Sequence, residues 1–152
     1  MAVDLAFSEK STADFTAIAT GAVDGEQNAY LADVRRGRWP FTLTLELLAE
    51  QAEIYRPVSI AIETGGFSSM AFQQATQRLL LPLREIKADR DKVARAQLLA
   101  DRIACGKVFA NRAVPWWRDF ETEALAFPAS EHDDQVDAVV YALQSAASGC
   151  YR

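Results

Sequence analysis

Residues 58–64 read Val-Ser-Ile-Ala-Ile-Glu-Thr, a run that is nearly all apolar and rich in β-branched side chains. This pattern is typical of a strand that is buried on both faces, as in a parallel sheet covered by helices. The run follows Pro57 and ends at Gly65 and Gly66. Because a right-handed crossover returns a strand parallel to a neighbour in the same sheet, the run predicts an α/β domain with an earlier strand beside residues 58–64.

The segments on either side of this strand predict a mixed sheet with helices around it. The Asp24-Gly25 pair predicts a hairpin between the second and third strands. Helical spacing of apolar residues and short apolar runs bounded by Pro or Gly predict the other elements. The predicted strands are 2–7, 15–23, 28–34, 58–64 and 82–87, with a short strand or turn at 107–110, and the predicted helices are 41–55, 68–80, 89–105 and 133–147. We therefore expect an α/β fold with a five-stranded sheet, three antiparallel strands followed by two parallel ones, flanked by helices.

One domain over residues 1–152 accounts for the length and composition. The chain is 50% hydrophobic and 24% charged, which is ordinary for a globular domain large enough to bury a core. Its apolar runs are far shorter than the roughly 20 residues that cross a bilayer, and no basic signal region precedes them. Cys105 and Cys150 have no disulfide-like or metal-like spacing. We expect no membrane partner and a reducing, cytoplasmic compartment.

Three acidic features lie at positions where a purely structural role does not readily explain a carboxylate. Asp4 interrupts an apolar strand, and a buried aspartate needs hydrogen bonds, a basic partner or a metal. Glu63 ends the buried strand, and ligand sites in α/β sheets collect at the carboxyl ends of parallel strands. The third feature is the start of the last helix, which carries Asp133, Asp134 and Asp137.

Two interpretations of these acids are open. Aspartates at a helix start cap free N–H groups, and hydrogen bonds at a strand end can satisfy Asp4. Three aspartates within five residues nevertheless exceed what capping needs, and like charges three or four positions apart repel each other. Carboxylate oxygens without Cys or clustered His suit hard ions such as Mg²⁺ and Mn²⁺. The second interpretation is therefore a metal site.

Six stretches distributed over nearly the whole chain resemble parts of a known protein family. They are Val3-Asp-Leu-Ala-Phe-Ser, Asp14-Phe-Thr, Ile60-Ala-Ile-Glu63, Lys87-Ala-Asp-Arg-Asp-Lys92-Val-Ala-Arg95-Ala, Gly106-Lys-Val and Phe127-Pro…His132-Asp-Asp-Gln-Val-Asp137-Ala. Each resembles the C-terminal nuclease domain of tailed-phage large terminase subunits, a ribonuclease H-like fold, and the last stretch is the most specific. No GxxxxGK[ST] motif occurs in the chain, so we expect no ATPase domain within it.

The resemblance implies hydrolysis of DNA with two divalent metal ions, Mg²⁺ or Mn²⁺. It implies Asp4, Glu63 and Asp134 as catalytic and metal-binding residues, with Asp4 between two ions roughly 4 Å apart. Asp133 is implied as an alternate or supporting ligand, and the sequence does not decide which of the adjacent pair binds metal directly. Asp137 has a structural interpretation.

A basic stretch follows the last predicted core strand and consists of Lys87, Arg90, Lys92 and Arg95. As a bare charge run it is typical of a solvated helix face, whereas the resemblance favours contacts with DNA phosphates. The chain has 16 basic and 21 acidic residues and a net charge of −5, which argues against tight nonspecific wrapping of nucleic acid. We expect weak, salt-sensitive DNA binding by the chain alone.

Other polar and aromatic residues have less decisive patterns. Arg35, Arg36 and Arg38 are equally compatible with contacts to a DNA backbone and with decoration of a turn. His132 is more typical of a capping or packing residue than of a proton-transfer group or a ligand. The aromatic side chains within residues 116–120 are expected to pack in the core, because only Arg118 is basic among them.

The expected function is that of a metal-dependent endonuclease in a phage or prophage terminase, cutting concatemeric double-stranded DNA in the bacterial host. The expected partners are the terminase ATPase domain, the small terminase subunit and the portal. Two alternatives stay open. Another ribonuclease H-like hydrolase, such as a junction resolvase, would prefer branched DNA or an RNA–DNA hybrid. A non-catalytic docking module of the packaging motor would use its acids only as caps and would gain no stability from divalent ions.

Overall fold

A computed structural model describes residues 1–6, 15–64, 68–87 and 92–149 of the chain. Its strands are β1 (Ala2–Asp4), β2 (Thr16–Val23), β3 (Ala29–Gly37), β4 (Ile60–Glu63), β5 (Leu83–Ile86) and β6 (Val108–Ala110). Its helices are α1 (Phe41–Tyr55), α2 (Ser68–Arg78), α3 (Lys92–Ala104), α4 (Trp117–Ala126) and α5 (Asp134–Gly149). None of the helices within these ranges is long and apolar enough to cross a membrane.

The strands form one mixed sheet in the order β5-β4-β1-β2-β3-β6. Strands β1, β2 and β3 pair antiparallel, and β4 and β5 continue from β1 in parallel, as predicted. The predicted count of five strands is wrong, because β6 pairs in parallel with the start of β3 and makes a sixth. The segment 107–110 is too short for its pattern to separate a strand from a turn, and only its pairing with β3 decides the matter.

Two local features explain where the sequence prediction succeeded and where it was incomplete. The predicted hairpin is confirmed: the Asp24 carboxylate accepts hydrogen bonds from the backbone N–H groups of Glu26 and Asn28 and closes the turn. Helix α4 had not been predicted. Only Phe120 and Glu123 of this helix are buried, so it lacks the apolar stripe that periodicity detects.

The two faces of the sheet carry side chains of different size because successive strand residues point to opposite faces. The face toward α1 and α2 presents large side chains, namely Val3, Ile18, Ile60 and Ile62. The face toward α5 presents small ones, namely Ala2, Ala17, Ala19 and Ala61. Helix α5 therefore packs close to the sheet, and its Ala138, Val139 and Ala142 are fully buried there.

Gly21 in β2 permits the same close approach. A Cβ atom at this position would lie 2.9 Å from Leu143 Cδ2 of α5 and 3.1 Å from the Tyr30 carbonyl oxygen. A larger residue would push the helix away from the strand. With α5 packed against β2, the first turn of the helix lies at the edge of the sheet where β1 ends and β2 begins.

The aromatic residues of the α4 region pack as predicted. The rings of Trp116, Trp117 and Phe120 have centroids 5.9–6.3 Å apart and lie against the buried cluster that contains α5. Cys105 is an exposed free thiol, and Cys150 lies outside the described residues.

Candidate active site

Asp4 and Glu63 end two neighbouring parallel strands. Strand β1 pairs with β4 in the register Ala2–Ala61 and Val3–Ile62, so the next position on each strand carries an acid. Both side chains are half-buried at the carboxyl edge of the sheet. The strand order thus brings together two of the predicted site residues that are distant in the sequence.

Asp134 reaches the same edge from the first position of α5. The backbone N–H of Phe15 donates a hydrogen bond of 3.2 Å to Asp134 Oδ2. Phe15 lies two residues before Ala17, which pairs with Asp4 across β1 and β2. Asp134 is buried, with 7% of its surface exposed. Three elements that are distant in sequence therefore place Asp4, Glu63 and Asp134 side by side.

The electrostatics of Asp4 report how closely these acids are grouped. The pKa of Asp4 is raised from 3.8 to about 8, first by burial and then by Asp134, Glu63 and Asp137, while Lys92 acts in the opposite direction. Like charges disfavour the ionised form of each neighbour. A cation at this edge would relieve that repulsion and ionise Asp4.

Asp137 also belongs to this group, although the sequence indicated only a structural role for it. It is buried one turn along α5, and its Oδ2 lies 2.8 Å from Lys92 Nζ. Its Oδ1 lies 3.6 Å from an Arg95 nitrogen. The spacing of three between Asp134 and Asp137 was the available signal, because residues three apart share a helix face. Asp137 thus links the acidic edge to the basic residues of α3.

Lys92 and Asp133 form a second contact between α3 and α5. Lys92 Nζ lies 2.5 Å from Asp133 Oδ1, and the paired carboxylates Asp133 and Asp137 raise the pKa of Lys92 despite the opposing effect of burial. Asp133 is 27% exposed in its side chain. The adjacent pair that the sequence could not separate therefore differs in surroundings: Asp133 faces a lysine, and Asp134 faces Asp4.

The residues fit a divalent cation in their chemistry. Asp4, Glu63 and Asp134 offer only carboxylate oxygens, which are the donors preferred by Mg²⁺ and Mn²⁺. Burial first, and then Asp134, Glu63 and Asp137, raise the pKa of Asp4, so a cation held among these carboxylates would favour its ionised form. Within the described ranges, no three or more Asp, Glu, His or Cys side chains already form a metal-binding group. The carboxylates would therefore have to close on an ion to hold it.

The predicted phosphate-binding residues have different surroundings. Lys87 is exposed immediately after β5 and has no ion-pair partner among the described residues. Arg95 is buried, with its guanidinium 5.0 Å from the centre of the Tyr141 ring. Lys87 and Arg95 both line a cavity of about 760 Å³ between β5, α3 and α5. Arg90 lies outside the described residues.

Tyr141 connects this cavity to the acidic edge. Its hydroxyl is buried, and within the part of the chain that is described it makes no hydrogen bond of good geometry. Burial raises the pKa of Tyr141, and the nearby Glu63 carboxylate raises it further. Tyr141 therefore lies at the boundary between the cavity, which it lines, and the acidic edge, where Glu63 is near its hydroxyl.

The arginines before α1 lie close to Asp134. Arg38 is positioned 3.8 Å above the centre of the Phe15 ring, and Arg36 lies 5.0 Å from the same centre. His132 contacts that ring edge to face at 4.8 Å, which agrees with the packing role expected for it. Arg35 instead pairs with acids on its own side of the sheet.

Glu123 is a buried acid that sequence reasoning missed. It lies on α4 and is 5% exposed. Its Oε1 accepts a hydrogen bond of 2.9 Å from the Val136 backbone N–H. Its Oε2 accepts hydrogen bonds of 2.6 Å from Gln135 Nε2 and 3.2 Å from Arg36 Nη1. The only sequence signal was its position three residues after the buried Phe120 on the same helix face.

The chain matches a known protein family and is similar to a solved structure. The family described as "Terminase RNaseH-like domain" matches residues 1–146. The chain is also similar to a solved structure of the Fowlpox virus resolvase with its substrate Holliday junction DNA. That similarity has 13% sequence identity and a TM-score of 0.46, and it covers 91% of this chain and 93% of the other. No curated protein matches the chain.

Proposed function

Because the chain belongs to the family of terminase RNase H-like domains, we propose that it is a metal-dependent endonuclease that cuts concatemeric double-stranded DNA during genome packaging. The family match confirms the resemblance seen in the sequence and supports a nuclease. The observation that carries the proposal is the convergence of Asp4, Glu63 and Asp134 from two parallel strands and a helix.

The surroundings of each site residue indicate its proposed role. Burial, and then the neighbouring acids, raise the pKa of Asp4, so it is the group that would gain most from divalent cations held at this edge. Glu63 and Asp134 would complete the two sets of ligands. Divalent ions held there would supply activated water and neutralise charge on the scissile phosphate and leaving oxygen.

We assign direct ligation to Asp134 and a supporting role to Asp133. Asp134 raises the pKa of Asp4, so the two carboxylates face each other. The Phe15 N–H donates a hydrogen bond of 3.2 Å to Asp134 Oδ2 and orients this carboxylate at the end of β1. Asp133 is engaged with Lys92, which also pairs with Asp137. Lys92 thus pairs with Asp133 and Asp137, while Asp134 contacts the Phe15 N–H and acts on Asp4.

DNA would approach this edge through local rather than overall charge. The net charge of −5 requires that binding be weak and salt-sensitive. Lys87 and Arg84 are exposed beside the site, and neither has an ion-pair partner in the described ranges. In a packaging motor within the host cytoplasm, the ATPase domain, small subunit and portal would hold the DNA against this edge.

Nicking of supercoiled plasmid with Mn²⁺, Mg²⁺ or EDTA tests the proposal. We expect metal-dependent nicking by the parent protein and a loss of at least about 100-fold in Glu63→Ala and in Asp134→Ala. Glu121→Ala is the matched control, because Glu121 pairs with Arg112 on the surface of α4. Nicking that persists in EDTA, or in both site variants, would contradict the proposal.

Two further arms separate the alternatives. Competition of plain duplex with four-way junctions and RNA–DNA hybrids would expose a resolvase-like or ribonuclease-like preference. If the parent nicks nothing with any metal, and Mn²⁺ leaves its melting temperature unchanged, the acids are not a metal site and a docking module is the better description.

A further inference from the structure

The start of α5 is capped from another helix. The first backbone N–H groups of a helix have no partner within the helix, and a side chain at the helix start usually satisfies one of them. Here Glu123 of α4 accepts the Val136 N–H at 2.9 Å. Asp133, which precedes α5, directs a carboxylate oxygen to Lys92 at 2.5 Å. Glu123 therefore supplies a cap at the Val136 N–H from outside α5, while Asp133 pairs with Lys92.

Glu123 is itself held by two other donors. Its second oxygen accepts hydrogen bonds from Gln135 Nε2 at 2.6 Å and from Arg36 Nη1 at 3.2 Å. Both Gln135 and Glu123 are buried. We call the set of Glu123, Arg36, Gln135 and the Val136 N–H the Glu123 cap. Because it joins β3, α4 and α5, it fixes the first turn of α5 relative to the sheet.

Arg36 extends the Glu123 cap to the side chain of Asp134. Its guanidinium lies 5.0 Å from the centre of the Phe15 ring, and the Phe15 N–H donates to Asp134 Oδ2 at 3.2 Å. The backbone next to Asp134 is held through Glu123, and the carboxylate of Asp134 is held through Phe15. Arg36 takes part in both restraints, because its guanidinium contacts Glu123 and lies near the Phe15 ring.

Such restraint is needed because Asp134 faces other acids. Asp134, Glu63 and Asp137 all act on Asp4 at this edge, so a cation can be held there only if α5 keeps Asp134 beside the ends of β1 and β4. We propose that Glu123 is a positioning residue that holds Asp134 in place to receive divalent cations. This inference rests on the proposed function. It assigns to a residue of α4 a control over metal affinity at an edge that it does not touch.

The test compares Glu123→Gln with Glu121→Gln. Glutamine has one acceptor oxygen, so it can keep the Val136 bond only by presenting its NH₂ group to the donors of Arg36 and Gln135. Glu121 lies on the same helix but pairs with the exposed Arg112 at 2.8 Å, so its variant removes an equal charge without touching α5. Arg36→Gln is a second variant, which weakens the Glu123 cap from β3 in case Glu123→Gln folds poorly.

Two readouts are measured on the folded proteins. Calorimetric titration with Mn²⁺ should give a dissociation constant raised about tenfold in Glu123→Gln and unchanged within about twofold in Glu121→Gln. Hydrogen exchange without metal should be accelerated about tenfold at the amides of residues 134–137 in Glu123→Gln only. Nicking by Glu123→Gln should recover at saturating Mn²⁺, whereas a merely unstable variant would lose activity at every metal concentration.

The outcomes separate this inference from the function it rests on. If the parent binds Mn²⁺ and Glu123→Gln binds it equally well, the positioning role is wrong and the nuclease proposal stands. If exchange at residues 134–137 is unchanged, the Glu123 cap does not restrain α5 and the inference is also wrong. If the parent binds no Mn²⁺ but exchange is accelerated, the proposed function fails and Glu123 keeps only a structural role.

Discussion

Asp4 and Glu123 are two acids withdrawn from solvent at the same end of α5, and their surroundings are opposite. Glu123 accepts hydrogen bonds from a backbone N–H, an amide and a guanidinium. Asp4 faces Asp134, Glu63 and Asp137, and these acids add to burial in raising its pKa to about 8. The first acid has the partners that a buried carboxylate needs, and the second is surrounded by like charge.

This difference separates an acid whose partners stabilise the fold from an acid that has the surroundings expected of the proposed metal site. A carboxylate with three donors around it stabilises the fold as soon as the chain folds. A buried carboxylate among carboxylates weakens the fold when it is ionised, and a bound cation would offset that cost. The two regions are joined by the first turn of α5, so the stable one restrains the repulsive one. Four expected effects test this comparison.

The largest effect is expected at Asp4. Asp4→Asn removes the carboxylate that faces both Glu63 and Asp134, so nicking should fall by at least about 100-fold while the variant stays folded. Plasmid nicking and circular dichroism on the same preparation measure both properties. If Asp4→Asn nicks plasmid at the parent rate, Asp4 does not belong to the active site, and its contrast with Glu123 has no bearing on function.

The next effect is a loss of stability at Glu123. Glu123→Ala leaves the Val136 N–H and the Gln135 amide without their acceptor, so the free energy of unfolding should fall by about 3 kcal/mol. Urea unfolding gives this value, and Glu121→Ala should differ from the parent by less than about 1 kcal/mol because its ion pair is exposed. Equal losses in the two variants would mean that Glu123 is no better satisfied than a surface acid.

A smaller effect with a definite sign follows from the pKa of Asp4. The folded protein binds this proton more tightly than the unfolded chain, since the pKa is about 8 rather than 3.8. The contribution of Asp4 to stability is therefore complete at low pH and is lost as pH rises through about 8. Asp4→Asn, which cannot ionise, should be more stable than the parent by about 1–2 kcal/mol at alkaline pH.

Chemical unfolding of both proteins across that pH range measures the difference. The two curves should converge at low pH, where Asp4 is protonated in both folded and unfolded chains. A parent that is more stable than Asp4→Asn at alkaline pH would show that Asp4 has a favourable partner, as Glu123 does.

The smallest effect distinguishes two lysines at the same edge. Lys87 has no ion-pair partner within the described ranges, whereas Lys92 is already paired with Asp133 and Asp137. Lys87→Ala should reduce the slope of log affinity for DNA against log salt by about one, and Lys92→Ala should reduce it by less. Contact of either residue with phosphate stays a prediction. The opposite order would mean that DNA displaces Lys92 from its acids.

Local pattern was sufficient for much of the fold and part of the site. The apolar run that ends in Glu63 and the acid that interrupts the first strand were visible in the sequence, and parallel pairing of these strands predicted their meeting. The sequence did not separate a strand from a turn at β6 and did not predict helix α4, because the first has three residues and the second buries few side chains. Neither provides enough periodicity to be distinguished from irregular structure.

Adjacent residues are where the sequence was least informative. Asp133 and Asp134 have the same chemistry and neighbouring positions, so no pattern separates them. Their surroundings do, because Lys92 meets Asp133 and the Phe15 N–H meets Asp134. The role of Glu123 could not be predicted from the sequence for a related reason: its partner Arg36 is 87 positions away in the chain.

The sequence by itself determined the α/β class, the terminase-like family and the acids that end β1 and β4, because period and residue type are local properties of the chain. Only the tertiary structure decided which aspartate of α5 faces Asp4, that Lys92 pairs with Asp133 and Asp137, and that Glu123 caps α5 from another helix. These features depend on direction and distance between groups far apart in sequence. Hydrogen bonds act only at contact and charge interactions in salt solution are screened beyond roughly 10 Å, so folding has to bring the groups together before their roles differ.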